Sequence, residues 1–195
     1  LKDEPQIRLA ALEGLRGREL SPEDIVTVLE CLRDTDFPEI RAAAVAVLGP
    51  LVPEEFTEDP SPQVRRVVAS VVASQKLLAR LCGDTDASVR MAAAESLGKQ
   101  EELQEDVLLP LLTDSVPGVR RAAVTALASS RRPDVVAALI DRLHDPKPGV
   151  QAAAATVLGE IGGDEVVVAL TEASKSGNVI LRGITKNALN AALKK

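Results

Sequence analysis

The chain has 195 residues, a formal net charge of −6, a sequence pI of about 5.0 and 46% apolar content. It carries two Phe and no Tyr or Trp, while Ala alone numbers 28. That balance excludes a disordered polyampholyte, an aromatic-rich β core and a base-stacking platform for single-stranded nucleic acid. No run approaches the 18–20 apolar residues that span a bilayer, and net acidity opposes a polyphosphate ligand.

Read along the chain, one pattern recurs seven times. Pro5-Gln6-Ile7-Arg8, Pro38-Glu39-Ile40-Arg41, Pro62-Gln63-Val64-Arg65, Ala87-Ser88-Val89-Arg90, Pro117-Gly118-Val119-Arg120 and Pro148-Gly149-Val150-Gln151 each open an Ala- or Val-rich segment, and Val179-Ile180-Leu181-Arg182 is a degenerate seventh. The anchors at 8, 41, 65, 90, 120, 151 and 182 are separated by 33, 24, 25, 30, 31 and 31 residues. Pro at the first turn fixes a helical φ without losing a needed hydrogen bond. From each anchor, apolar residues at −1, +2, +3, +6 and +7 predict one buried helical stripe. Gly49, Gly98 and Gly159, each at +8, predict helix stops. The predicted second helices lie near 5–16, 38–49, 62–74, 87–98, 117–129, 148–161 and 179–193.

First helices are predicted upstream, at Ile25 to Leu32, Val107 to Leu112, Val135 to Leu143 and Val166 to Ala173, with turns beginning at Asp34, Asp84, Asp114 and Asp145. A helix pair of about 31 residues cannot bury its stripe alone, so neighbours must stack. The fold class expected is all-α: a right-handed α-solenoid of stacked helix pairs in one domain spanning 1–195, with two short central repeats. The first copy lacks an upstream helix, so Leu1 to Leu15 is expected either to cap the stack or to follow a removed segment. Leu193-Lys194-Lys195 reads as a natural end.

The pattern in Asp114 to Leu127 and in Asp145 to Gly159 resembles HEAT repeats, in particular the short bacterial type related to phycobilin-lyase subunits. Asp59 to Arg66, with Leu77 to Leu81 after it, is similar to the leucine-rich repeat variant. The cysteine-bound cluster of that variant is not implied, because the chain has only Cys31 and Cys82. The resemblance implies a structural ladder that pairs a turn Asp with a helix Arg: Asp59 with Arg65, Asp84 with Arg90, and Asp114 with Arg120. Asp145 faces Gln151, and Asp34 stands seven rather than six residues before its arginine.

No nucleotide, hydrolase or zinc motif is present, and Gly159-Glu160-Ile161-Gly162-Gly163-Asp164 reads as a turn between helices. A lone His144 cannot build a multi-His metal site, and Cys31 and Cys82 read as buried small apolar groups in a reducing, cytoplasmic compartment. No catalysis, cofactor or metal is expected. In a HEAT stack the second helices line the concave face, where Arg66, Met91, Glu95 and Arg121 are the candidate partner-binding residues; Arg and Met are favoured in interfaces. The function expected is a non-catalytic protein–protein interaction scaffold holding a helix or peptide, as a monomer or within a hetero-complex. The alternatives are a subunit of a phycobilin-lyase-like complex, or a nucleic-acid binder using Arg66, Arg121, Arg131 and Arg132.

Overall fold

A computed structural model describes residues 4–175 and 179–193, the side chains of 179–181 excepted. The elements in order are α1 (Pro5–Leu15), α2 (Pro22–Leu32), α3 (Pro38–Leu48), 3₁₀ turns at Gly49–Leu51 and Glu54–Glu58, α4 (Pro62–Val71), α5 (Gln75–Leu81), α6 (Ala87–Leu97), α7 (Glu105–Leu108) with a 3₁₀ turn at Leu109–Thr113, α8 (Pro117–Ala126), α9 (Pro133–Asp141) with a 3₁₀ turn at Arg142–His144, α10 (Pro148–Ile161), α11 (Asp164–Ala173) and α12 (Val179–Ala192). Among the described residues there is no strand, and no helix is long and apolar enough to cross a membrane. The fold is an all-α solenoid built from helix-pair repeats.

The backbone divides into two compact units, 1–96 and 97–195. In the first, α3 packs on α1, α2 and α4, touching its neighbouring second helices and its own first helix. In the second, α10 plays that part, packing on α8, α9, α11 and α12. The two short repeats economise on the first helix. The 24-residue spacing leaves room only for the 3₁₀ turns between α3 and α4, and the 25-residue spacing for the seven-residue α5.

Local chemistry sets the helix starts. Proline opens α1 to α4 and α8 to α10, where its missing N–H costs nothing. Ser21 and Asp24 form a reciprocal capping box on α2. Elsewhere the turn aspartate folds back: Asp59, Asp84, Asp114 and Asp145 each accept a hydrogen bond from the backbone N–H two residues on, at 2.8–2.9 Å.

The buried stripe differs from the one expected. In the five repeats anchored at 41, 65, 90, 120 and 151, the positions −1, +3, +4 and +7 are buried. Position +4, held by Val45, Ala69, Ala94, Val124 and Ala155, is absent from the sequence reading yet has no exposure in any of the five. Position +2 is half-buried except at Ala122. A second helix has neighbours on both flanks as well as a first helix behind it, so its apolar face is wider than one partner would need.

The glycines at +8 also need correction. Gly49, at φ 55°, does close α3. Gly159 lies inside α10, and Gly98 directly follows α6 without a left-handed φ. A Cβ on Gly98 would stand 2.6 Å from the Ala126 Cα, and one on Gly159 would stand 2.8 Å from both the Ala188 Cα and its carbonyl oxygen. Gly159 lets α10 and α12 pass at backbone contact, and both glycines meet the alanine at +6 of the following repeat.

Gly159→Ala therefore tests the packing. Helix propensity alone would stabilise the variant by about 1 kcal/mol, but overlap with backbone atoms costs about 1–3 kcal/mol. The expected outcome is a melting temperature lower by a few degrees; an unchanged or raised one would show that α12 gives way.

Candidate functional site

Three repeat arginines, Arg41, Arg65 and Arg120, each do two jobs. Arg41 donates Nη1 to the Asp34 carbonyl at 2.7 Å and forks Nε and Nη2 onto the Asp59 carboxylate, both at 2.8 Å. Arg65 donates Nη1 to the Asp59 carbonyl and forks onto Asp84 at 2.7 and 2.8 Å. Arg120 does the same with the Asp114 carbonyl and the Asp145 carboxylate, at 2.8, 2.7 and 2.8 Å. Arg8 bonds the Asp34 carboxylate.

The ladder expected from the sequence is thus shifted by one repeat. Six residues separate an arginine from the carbonyl it holds; the carboxylate it pairs with belongs to the next turn. The turn geometry explains this. Each aspartate is already turned onto its own backbone at residue +2, which aims its oxygens at the preceding repeat. Arg90 shows the carbonyl half, donating to the Asp84 and Thr85 carbonyls at 2.8 and 3.1 Å. Gln151 retains that half as well, donating Nε2 to the Asp145 carbonyl at 2.8 Å. The seven-residue step from Asp34 to Arg41 is accommodated without loss.

These groups are shielded. Arg41, Arg120, Asp59 and Asp145 are buried, and Asp84 and Arg65 nearly so. The Arg120 fork holds the Asp145 carboxyl below the usual carboxylate range against the opposing effect of burial, with the Lys147 N–H assisting. At Asp84 burial is the larger single influence and pushes upward, but the Arg65 fork and the Asp86 N–H together outweigh it. Each such pair ties a turn to the helix of the preceding repeat.

The expected partner-binding residues divide between the units. Arg66 on α4 and Glu95 on α6 are exposed and Met91 on α6 is half-buried, all in the first unit; Arg121 on α8 is exposed in the second. The basic doublets split cleanly. The Arg65 and Arg120 guanidinium groups are consumed by the ladder, whereas those of Arg66 and Arg121 point to solvent. The third doublet is occupied. Arg132 faces Asp134, Asp106 and Glu105 at 2.6, 2.7 and 3.4 Å, and Arg131 donates to the Ala128 and Ser130 carbonyls. That leaves little of it for a phosphate backbone.

In the second unit the outer edge of the second helices runs through the exposed Arg121 and Thr125, then the half-buried Ala152 and exposed Thr156, then the exposed Gly183 and Asn187. Between α10 and α12 it deepens into an open groove of about 300 Å³, floored by Ile184, Ala188 and Ala191 and rimmed by Thr156, Glu160 and Asn187. Thr156 and Asn187 occupy position +5, while Glu160 and Ala191 occupy +9. One further helical turn of the +1/+5 row would have found them. Cys31 and Cys82 are free and buried, and burial pushes the Cys82 thiol up to about 11. His144 is exposed, and no His, Cys, Asp and Glu group among the described residues could hold a metal ion.

Comparison with known proteins agrees with this architecture. A family model described as HEAT repeats matches residues 105–190, and a model of the single HEAT repeat matches residues 75–99. Among solved structures, the chain resembles YibA of Escherichia coli over its whole length and 78% of that chain, at 21% identity and a TM-score of 0.73. It also resembles a designed armadillo repeat protein in complex with the peptide (KR)4, covering 96% of this chain and 92% of that one, at 19% identity and a TM-score of 0.51. No curated protein matches the sequence.

The split doublets give a paired test. Arg120→Ala leaves the buried Asp145 with only Arg142, 3.9 Å away, and should cost about 3–5 kcal/mol, whereas Arg121→Ala should stay within about 0.5 kcal/mol of wild type; urea unfolding of both reads the difference. The acid limb follows from the depressed Asp84 and Asp145. Their contribution is fully present above the unfolded carboxylate pKa of about 3.9 and is lost as pH falls through the lower folded values. Thermal melts should be flat from pH 7 to 5 and fall steeply below about pH 4. Asp145→Asn should melt lower at pH 7 and lose less on acidification; an equal loss would remove Asp145 as a source of the acid limb.

Proposed function

We propose that this HEAT-repeat protein is a non-catalytic scaffold whose second-helix face holds a helix or an extended peptide of a protein partner. The observation that carries the reading is the division of labour within the doublets. In the Arg65-Arg66 and Arg120-Arg121 doublets the first arginine is fixed by four hydrogen bonds into the ladder, and its neighbour is displayed to solvent. A row of Ala, Thr and Gly lets a partner backbone approach closely, and an unengaged guanidinium offers five donors to a carboxylate or carbonyl. The peptide carried by the designed armadillo repeat protein supports the class of partner. Arg66, Met91, Glu95 and Arg121 are the residues assigned to the contact.

The test is a pull-down from native lysate with wild type and the Arg66→Glu/Arg121→Glu variant, after equal melting temperatures establish that both are folded. A protein partner retained by wild type and lost or depleted at least tenfold by the variant supports the reading. Identical partner profiles would remove Arg66 and Arg121 from the contact.

A further inference from the structure

The groove between α10 and α12 has a direction as well as a volume. Its floor residues Ile184, Ala188 and Ala191 follow one another at i, i+4 and i+7 on α12, and Thr156 and Glu160 stand one turn apart on α10. Its long axis therefore runs along the helices, for about 10 Å on α12. Both walls belong to one unit, and Ala188 meets Gly159 of α10 at backbone contact, so their spacing is fixed. A channel of this direction takes a helix laid alongside, whereas an extended chain crossing the layers would touch it at one point.

The two ends of the channel carry opposite charge. At the N-terminal edge of the second helices, Arg121 on α8, Lys147 before α10 and Arg182 on α12 are all exposed. The turn aspartates of that edge are withdrawn: Asp145 is buried under the Arg120 fork, and Asp114 is turned onto the Val116 N–H. At the C-terminal edge, Glu160 in the last turn of α10 is exposed, as are Asp164 and Glu165 just beyond it. The arginines on that edge are engaged, Arg131 by carbonyls and Arg132 by Asp106 and Asp134. Helix stability does not account for the pattern. In α10 the lysine stands at the N-cap and the glutamate in the last turn, each at the end where the dipole disfavours its charge.

Building on the scaffold reading above, we infer that this channel is the seat of the partner in the second unit, and that its occupant is an amphipathic helix with oppositely charged ends. The acidic end lies over Arg121, Lys147 and Arg182, and the basic end over Glu160. One large apolar side chain between them enters the groove against Ile184 and Ala191. Arg121 belongs to α8, which packs on α10, and so stands about one layer, 8–10 Å, from the channel wall. Ala152 and Gly183, the other residues of its row, have no side chain long enough to stand in its way. Complementary charge at both ends fixes the direction in which the helix lies.

The probe is a phage-displayed library of amphipathic helices of about 16 residues, long enough to span the channel, with a fixed leucine stripe and the other positions randomised among Glu, Lys and Ser. It is panned on the intact protein. Enriched clones should carry Glu at one end and Lys at the other. A synthetic peptide of the leading clone should bind at least tenfold more weakly to Ala191→Trp, which fills the groove from an exposed position. It should bind at least fivefold more weakly to Glu160→Lys, a change the dipole of α10 favours, and replacing the Lys end of the peptide by Glu should recover that loss. Melting temperatures no lower than wild type establish that both variants are folded. Clones without charge order, clones indifferent to Ala191→Trp, or no enrichment over a protein-free control would each overturn the inference. If such indifferent clones are still lost with Arg66→Glu/Arg121→Glu, the scaffold reading stands and the seat and occupant assigned here do not. Clones insensitive to all of these variants would remove both.

Discussion

The forked arginine is the contact on which the repeats depend. A guanidinium in the first turn of a second helix ties down the carbonyl of its own turn and grips the carboxylate of the next. One side chain thereby fixes the angle at which the chain enters the helix and the distance to the following layer. A buried ion pair seldom yields much net stability, since two desolvated charges offset the attraction. Here the remaining valences are filled as well: the carboxylate also accepts a backbone N–H, and the third guanidinium bond goes to a carbonyl. What the arrangement supplies is register. Aliphatic helices could slide past one another at small cost, and a bidentate fork cannot.

That clamp explains how two repeats can lose most of their first helix. The link from Arg41 to Asp59 crosses only 3₁₀ turns, yet its geometry matches that from Arg120 to Asp145, which crosses α9. The connecting segment varies while the two ends of the rung stay fixed. Where a rung changes chemistry, as at Gln151, the carbonyl bond persists, while the turn that follows α11 carries no aspartate for a fork to grip.

Much of this was legible in the sequence, and the misses have definite causes. The anchors, prolines and +7 aliphatics located every described second helix to within a few residues, because proline and helical periodicity act locally. Arg65 does hold Asp59, but by its carbonyl, and spacing along the chain does not reveal which way a carboxylate turns. Its own backbone N–H decides that. The buried +4 row escaped because alanine reads as neutral, and Ala69, Ala94 and Ala155 declare themselves only when a neighbouring helix stands against them. Gly159 looked like a helix stop for the same reason, whereas Gly98 does follow the end of α6. Propensity describes a helix alone, and the need for a missing Cβ arises between helices. The groove at Ile184 and Asn187 was within reach, since both its rims follow the +5 row, but its depth depends on Gly159 drawing α12 close to α10.

The scarcity of aromatic residues follows from the same close approach. Where Gly159 lies at backbone contact with Ala188, there is no layer thick enough for a ring, and both Phe37 and Phe56 sit half-exposed in or beside turns. The consequence reaches the binding face. Interfaces commonly concentrate their energy in Trp, Tyr and Arg, and this chain has only the last. On the proposed face, Arg66 and Arg121 would supply the polar anchors and Ala, Thr and Gly the close surface. A large apolar side chain must then come from the partner, and the groove between α10 and α12 is the place in the second unit that would admit one.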